Sequence, residues 1–276
     1  MYEDIIAGIA EKAKKAIPVE DIDYYENGLL MCGICHTPKE HIDNVFMVGQ
    51  KVRCLCDCMA AKRDADEERL RRGDRLDELK TLGFADRVMQ SWTFANDDGA
   101  NERLTKAAHR YVEHFAEFRE MGRGLLLYGT VGTGKSFAAA CIVNALIEQG
   151  IPCMMTSVSR VVNSGSFEER QAYIDGLDRF DLLVLDDLAA ERDTEYMGEM
   201  MQSIIDARYR AKKPLIVTTN LTADELKRPA DIRKQRLFSR LYDMCVPIEV
   251  KGVDRRKQNL NKNYDDYARM LGLKGD

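Results

Sequence analysis

The sequence predicts an α/β fold, a parallel sheet flanked by helices, with a small cysteine-rich module ahead of it. Three observations predict it. Short apolar runs alternate with helical segments from Trp92 onward, the order that builds a parallel sheet. A glycine-rich turn ending in lysine and serine joins one such run to a helix. Five of the chain's eight cysteines lie between Cys32 and Cys58.

The chain has 276 residues, 45% of them hydrophobic, enough for one domain of ordinary size and a smaller appendage. A net charge of −5 and a pI near 5.6 speak against a general nucleic-acid coat protein, although a local basic surface is invisible in a total. No apolar run approaches the ~18 residues that a membrane span needs. The start, MYEDIIAGIAEKAKKAIP, opens with acids rather than a basic region and an apolar core, so no secretory signal is expected and the cytoplasm is the default.

Residues 1–58 form an N-terminal region with the cysteines, residues 59–90 a charged linker, and residues 91–276 the main domain. The linker mixes both charge signs at helical spacing around Leu70, Leu76 and Leu79. It reads as a solvated connecting helix, broken or bent at Gly73. A basic contact through Arg69, Arg71, Arg72 and Arg75 is the weaker reading, because acids interleave those cations.

Within the main domain, strands are expected at residues 124–128, 152–156, 181–186, 214–220 and 247–250, which makes a five-stranded sheet. The run DLLVLD at 181–186 is apolar on both faces and so belongs inside a parallel sheet. Helices are expected at 135–149, closed by Gly150, and at 194–211. Thr222 and Glu225 have the spacing of a capping box that starts another. Cys141, Cys153 and Cys245 lie in apolar contexts and read as buried small hydrophobes.

Gly129, Thr130, Val131, Gly132, Thr133, Gly134, Lys135 and Ser136 fit G-x-x-x-x-G-K-[ST] at every fixed position. Glycines let backbone N–H groups approach phosphate oxygens, and the helix starting near Lys135 turns its positive end to the anion. Lys135 should reach the β- and γ-phosphates of ATP, and the Ser136 hydroxyl should ligate Mg2+; Phe137 flanks them. A strand before and a helix after supply the context that a P-loop requires. Downstream, Asp186 is the first acid after four apolar residues and should hold Mg2+ directly or through water. Asp187 is placed to orient the attacking water. Asn220, at the tip of the fourth strand, is a candidate γ-phosphate sensor.

These segments resemble an AAA+ ATPase of the DnaC/IstB group, the replicative-helicase loaders and the ATP-dependent helpers of certain transposases. The resemblance covers roughly residues 90–260 and rests on GTVGTGKS, LLVLDDLAAERDTEYM, PLIVTTNLTADEL and IRKQRLFSRLYDMCVPIEV. It implies an ASCE-type sheet and an arginine finger that reaches the ATP of a neighbouring subunit, at Arg236 ahead of Arg240. It further implies a spiral or ring-like homo-oligomer, a DnaB-type helicase as partner, and a grip on single-stranded DNA by residues 157–179 with Arg160, Phe167 and Arg170. Two departures stand out. Asp187 occupies the position where many AAA+ proteins carry glutamate, and too few residues follow Val250 for a helical lid. The lid's sensor arginine is therefore in doubt, with Arg255 or Arg256 as substitutes.

Cys32-x-x-Cys35 followed by Cys54-x-Cys56-x-Cys58 is close to a zinc ribbon. Zinc takes four tetrahedral ligands and a CxxC knuckle supplies two thiolates. If the second segment is extended its three cysteines share one side; Cys56 and Cys58 are the expected ligands and Cys54 the alternative. His36 and His41 are near enough to compete. The zinc would be structural, stabilising a region too small for its own core, and the resemblance makes that region the helicase-binding part. Three functions follow: a helicase loader, a transposition helper, or an ATP-binding assembly switch with negligible hydrolysis.

Overall fold

The structure, a computed structural model, describes residues 17–44, 49–162, 165–188, 195–229 and 231–273, excepting the side chains of 162, 167, 195–197, 258–262 and 265. The chain divides into two compact units, one up to Asp74 and one from Arg75.

In the first unit two hairpins precede a long helix. β1 (Tyr24–Glu26) pairs antiparallel with β2 (Leu29–Met31), and β3 (Glu40–Asp43) with β4 (Gln50–Arg53). Asn27 and Gly28, both at positive φ, make the two-residue turn that matches strand twist. A buried ion pair ties the module together: Lys39 Nζ lies 2.6 Å from Asp23 Oδ2, with side chains 1% and 0% exposed. The ammonium also donates to Pro18 O, and Asp23 accepts from the amides of Glu20 and Gly33, so neither charge is left without partners.

Helix α1 (Asp57–Gly83) starts on the cysteines and crosses the boundary between the units. It runs through Gly73 without the expected break, because one exposed glycine costs a helix only about 1 kcal/mol. Arg63 and Arg71 pair with Glu67, and Arg69 with Asp66, at the i, i+3 and i, i+4 distances that favour helix. Those pairs occupy two of the four arginines read as a basic contact.

The second unit is a three-layer α/β domain. Its helices are α2 (Glu102–Glu113), α3 (Phe115–Glu120), α4 (Lys135–Glu148), α5 (Val158–Val162), α6 (Phe167–Gly176), α7 (Glu195–Ala211), α8 (Ala223–Lys227), α9 (Ile232–Met244) and α10 (Arg255–Met270). Its strands are β5 (Gly124–Tyr128), β6 (Cys153–Ser157), β7 (Leu182–Leu188), β8 (Leu215–Thr219) and β9 (Cys245–Glu249), each parallel to its neighbours in the order β6-β7-β8-β5-β9. The expected capping box at Thr222 and Glu225 forms, and Gly150 closes α4 at φ +80°.

Alternation along the strands divides the core. Leu126, Leu183, Leu185, Leu215 and Val217 face α5, α6, α7 and α9, while Leu125, Leu127, Leu182, Val184 and Ile216 face α2, α3 and α4. Each fully buried residue of this kind contributes about 1.5–3 kcal/mol. Cys141, Cys153 and Cys245 are buried as expected, and burial pushes the Cys141 thiol up to about 12. At the strand entries the buried Arg208 donates to the carbonyls of Phe180, Asp181 and Pro214 at 2.8, 3.0 and 2.8 Å. It clamps the starts of β7 and β8 together, and burial pulls its pKa down to about 10. No described helix is long and apolar enough to cross a membrane.

Candidate nucleotide site and cysteine centre

β5 ends at Tyr128 and the chain turns through Gly129, Thr130, Val131, Gly132, Thr133 and Gly134 into α4. Gly129 stands at φ +121° and Gly134 at φ +95°, backbone that glycine adopts without strain. A Cβ on Gly129 would also lie 2.6 Å from the Val250 carbonyl. Thr133 braces the loop by donating to Thr130 O at 2.9 Å. The Lys135 ammonium donates to the carbonyls of Gly129 and Thr130 at 2.9 and 2.7 Å. Burial holds its pKa below the usual lysine value, against the opposing pull of Asp187 and Asp186; that pull brings lysine and acids into one field. Ser136 and Phe137 follow in the first turn of α4, and Phe137 meets Trp92 at 6.0 Å between ring centres.

The acids stand at the exit of β7. Thr218 Oγ1 donates to Asp186 Oδ1 at 2.6 Å, and Asn220 Nδ2 donates to Asp187 Oδ1 at 2.9 Å. Thus Lys135, Asp186, Asp187 and Asn220 gather where β5, β7 and β8 end. The Lys135 ammonium, the Asp186 carboxylate, whose one hydrogen bond among the described residues is from Thr218, and the Ser136 hydroxyl suit a triphosphate with a hard divalent cation.

The two arginines of α9 differ. Arg236 is exposed and makes no hydrogen bond or ion pair among the described residues. Arg240 is ion-paired with Asp206 of α7, so a local acid already holds it. Arg160 is exposed and Arg170 donates to Gly165 O; the Phe167 side chain lies outside the described residues.

In the first unit Cys32, Cys35, Cys56 and Cys58 converge, their Sγ atoms all within 4.8 Å of one another. A zinc ion with Zn–S bonds of about 2.3 Å implies sulfur–sulfur edges of about 3.8 Å. Cys32 to Cys58 is 3.6 Å and Cys56 to Cys58 is 3.4 Å, so the four thiols fit that ion. Cys54 is not in the group and its thiol turns to Pro38 O. The extended run assumed for the three cysteines ends at Asp57, where α1 begins, and the first turn of the helix re-aims Cys58. The Thr37 hydroxyl and the Cys58 amide favour the thiolate of Cys35, whose pKa falls to about 5. His36 turns instead to the Tyr24 hydroxyl at 3.1 Å.

Residues 50–263, more than half of the chain, match the family described as IstB-like ATP binding protein. The chain belongs to this IstB-like family. Its second unit is a P-loop ATPase domain of the AAA+ DnaC/IstB group. The chain is 27% identical over 198 residues to the replicative helicase loader DnaC of Escherichia coli K12, covering 67% of this chain and 78% of that protein. It is 29% identical over 160 residues to the uncharacterized protein YqaM of Bacillus subtilis strain 168, covering 54% of this chain but half of YqaM. A crystal structure of DnaI shares the fold at a TM-score of 0.50 and 22% identity, over 62% of this chain and 98% of that one.

The sequence of this IstB-like chain did not single out every residue at the site. Thr218 is buried and bonds the acid tips of β7; a hydroxyl inside an apolar strand was the available signal. Arg255, considered only as a substitute sensor, donates its amide to Gly132 O at 3.1 Å and pairs with Asp98 at 3.1 Å. No local pattern marks Asp98, because its partner is far along the chain.

Proposed function

We propose that this IstB-like protein loads a DnaB-type replicative helicase onto single-stranded DNA, binding and hydrolysing ATP with Mg2+. The observation that carries this reading is the alignment with a replicative helicase loader over 78% of that loader's length. In the proposed mechanism the amides of residues 129–134 and the Lys135 ammonium bind the phosphates. Ser136 and Asp186 hold Mg2+, which neutralises phosphate charge when bound. Asp187, oriented by Asn220, aligns the attacking water. Arg236 reaches the ATP of the next copy in a homo-oligomer, so turnover requires assembly; its exposure and its lack of a partner among the described residues support that role over Arg240. Residues 157–179 contact DNA through Arg160 and Arg170.

The same proposal gives residues 1–58 the helicase contact, residues 59–90 the linker and residues 91–276 the ATPase, working in the cytoplasm. The four-thiol centre takes a structural zinc. A transposition helper is the second reading, since the matching family is IstB-like and the DnaC/IstB group that the chain resembles includes the helpers of certain transposases. An assembly switch with little hydrolysis is the third, favoured by Asp187 in place of glutamate. The test is capture from the host by the full chain with ATP present. Recovery of the replicative helicase is expected; recovery of a transposase without the helicase would overturn loading. ATP-dependent assembly without measurable turnover would favour the switch.

A further inference from the structure

β7 carries a bulge at its exit. Leu185 pairs with Val217 of β8 and Leu188 with Thr219, so Asp186 and Asp187 together face the single residue Thr218. A bulge of this kind bends its strand and re-aims side chains. Asp187 stands at φ +58°, a left-handed conformation that aspartate tolerates better than most residues. The bulge and the residue after it are tied to β8 by hydroxyls. Thr218, 1% exposed, donates to Asp186 Oδ1 at 2.6 Å and accepts the Asp187 amide at 2.8 Å. Thr219, on the opposite face, donates to Leu188 O at 2.7 Å.

We propose that Thr218 is a positioning residue for ATP hydrolysis: its hydroxyl orients the Asp186 carboxylate toward the metal and locks the bulge on which Asp187 stands. This rests on the ATPase reading above. A hydroxyl has one proton and two lone pairs. With the proton given to Asp186, a lone pair is left for the Asp187 amide, so one oxygen sets both acids. The strand fixes its aim, because β-branching restricts χ1. Without it, Asp186 loses the one hydrogen bond that orients it among the described residues, and a part-buried amide loses its acceptor, which is costly.

The consequence falls on the metal-dependent steps and not on metal-free nucleotide binding. In the full chain, Thr218→Val removes the hydroxyl at constant shape, Thr218→Ala removes it with less volume, and Thr218→Ser restores it. ATP affinity is measured by calorimetry with Mg2+ and in EDTA, and kcat is measured across a Mg2+ titration. Val and Ala are expected to bind ATP in EDTA as the parent does. Their gain in affinity from Mg2+ and their kcat should each fall about tenfold, and Ser should recover most of both. Parental Mg2+ dependence and kcat in a folded Val or Ala variant would overturn the proposal, as would a Ser variant no better than Val. Lys135→Ala run alongside tests the underlying reading: if it still binds ATP, the phosphate site fails, whereas lost binding there beside an unaffected Val variant overturns Thr218 alone.

Discussion

The Asn220 amide nitrogen lies 2.9 Å from Asp187 Oδ1 and so joins the tips of two neighbouring strands across the candidate catalytic centre. The bond holds the second acid while its backbone stays left-handed. Asp187→Asn should keep ATP affinity and lower turnover roughly a hundredfold or more, the usual weight of general-base assistance. Asp187→Glu should not raise turnover, because the longer side chain loses this bond and a left-handed glutamate costs about 1–2 kcal/mol. Steady-state rates and melting temperatures check both; a faster Glu variant would refute the account of the bulge.

Lys135 is satisfied by two loop carbonyls, which ATP oxygens would replace. Lys135→Ala should weaken ATP binding by roughly a hundredfold or more, the worth of two charge-assisted hydrogen bonds. Calorimetry decides it, and retained affinity would remove the lysine from the phosphate site.

The arginines of α9 separate cleanly. Arg236→Ala should leave ATP binding and melting unchanged yet reduce assembly-dependent kcat by about 1000-fold. Arg240→Ala should lose the Asp206 pair at a cost of about 0.2–1 kcal/mol, with a smaller kinetic effect. Comparing turnover with protein concentration checks both, and the reverse pattern would move the finger to Arg240.

Elemental analysis should find one zinc per chain. Single serine replacements at Cys32, Cys35, Cys56 and Cys58 should each release it, while Cys54→Ser should retain it, because that thiol faces Pro38. Zinc loss from Cys54→Ser equal to that from Cys56→Ser would contradict the assigned ligands.

The buried Asp23–Lys39 pair predicts a pH window. Burial opposes both charges, but the amides of Glu20 and Gly33 together with Lys39 hold the Asp23 pKa below its usual value, and Asp23 holds that of Lys39 above its own. A depressed carboxyl stabilises fully above its unfolded pKa of about 3.9 and loses that contribution as pH falls through the folded value. A raised lysine stabilises below its unfolded pKa of about 10.4 and loses it as pH rises further. The pair's own contribution should therefore be complete from about pH 4 to 10. Asp23→Asn should cost roughly 3–5 kcal/mol at neutral pH by stranding Lys39. The difference in melting temperature between parent and Asp23→Asn at each pH reads this out, and an Asn variant as stable as the parent at neutral pH would refute it.

The P-loop, the two acids, the five strands and the CxxC knuckle were legible because their signals are local: spacing, glycine, and apolar runs a few residues long. The unbroken course of α1 through Gly73 departs from the break expected there, since one glycine's cost of about 1 kcal/mol does not end a long helix. Nothing local says that β8 lies between β5 and β7, that two acids share one threonine, or that Arg255 meets Asp98. Nor does spacing alone choose Cys58 over Cys54, which turns on where α1 starts. Sequence determined which chemical groups the chain carries and the elements that present them. Tertiary structure decided which groups meet, because hydrogen bonds and ion pairs act over a few ångströms between residues that only sheet order and helix packing bring together.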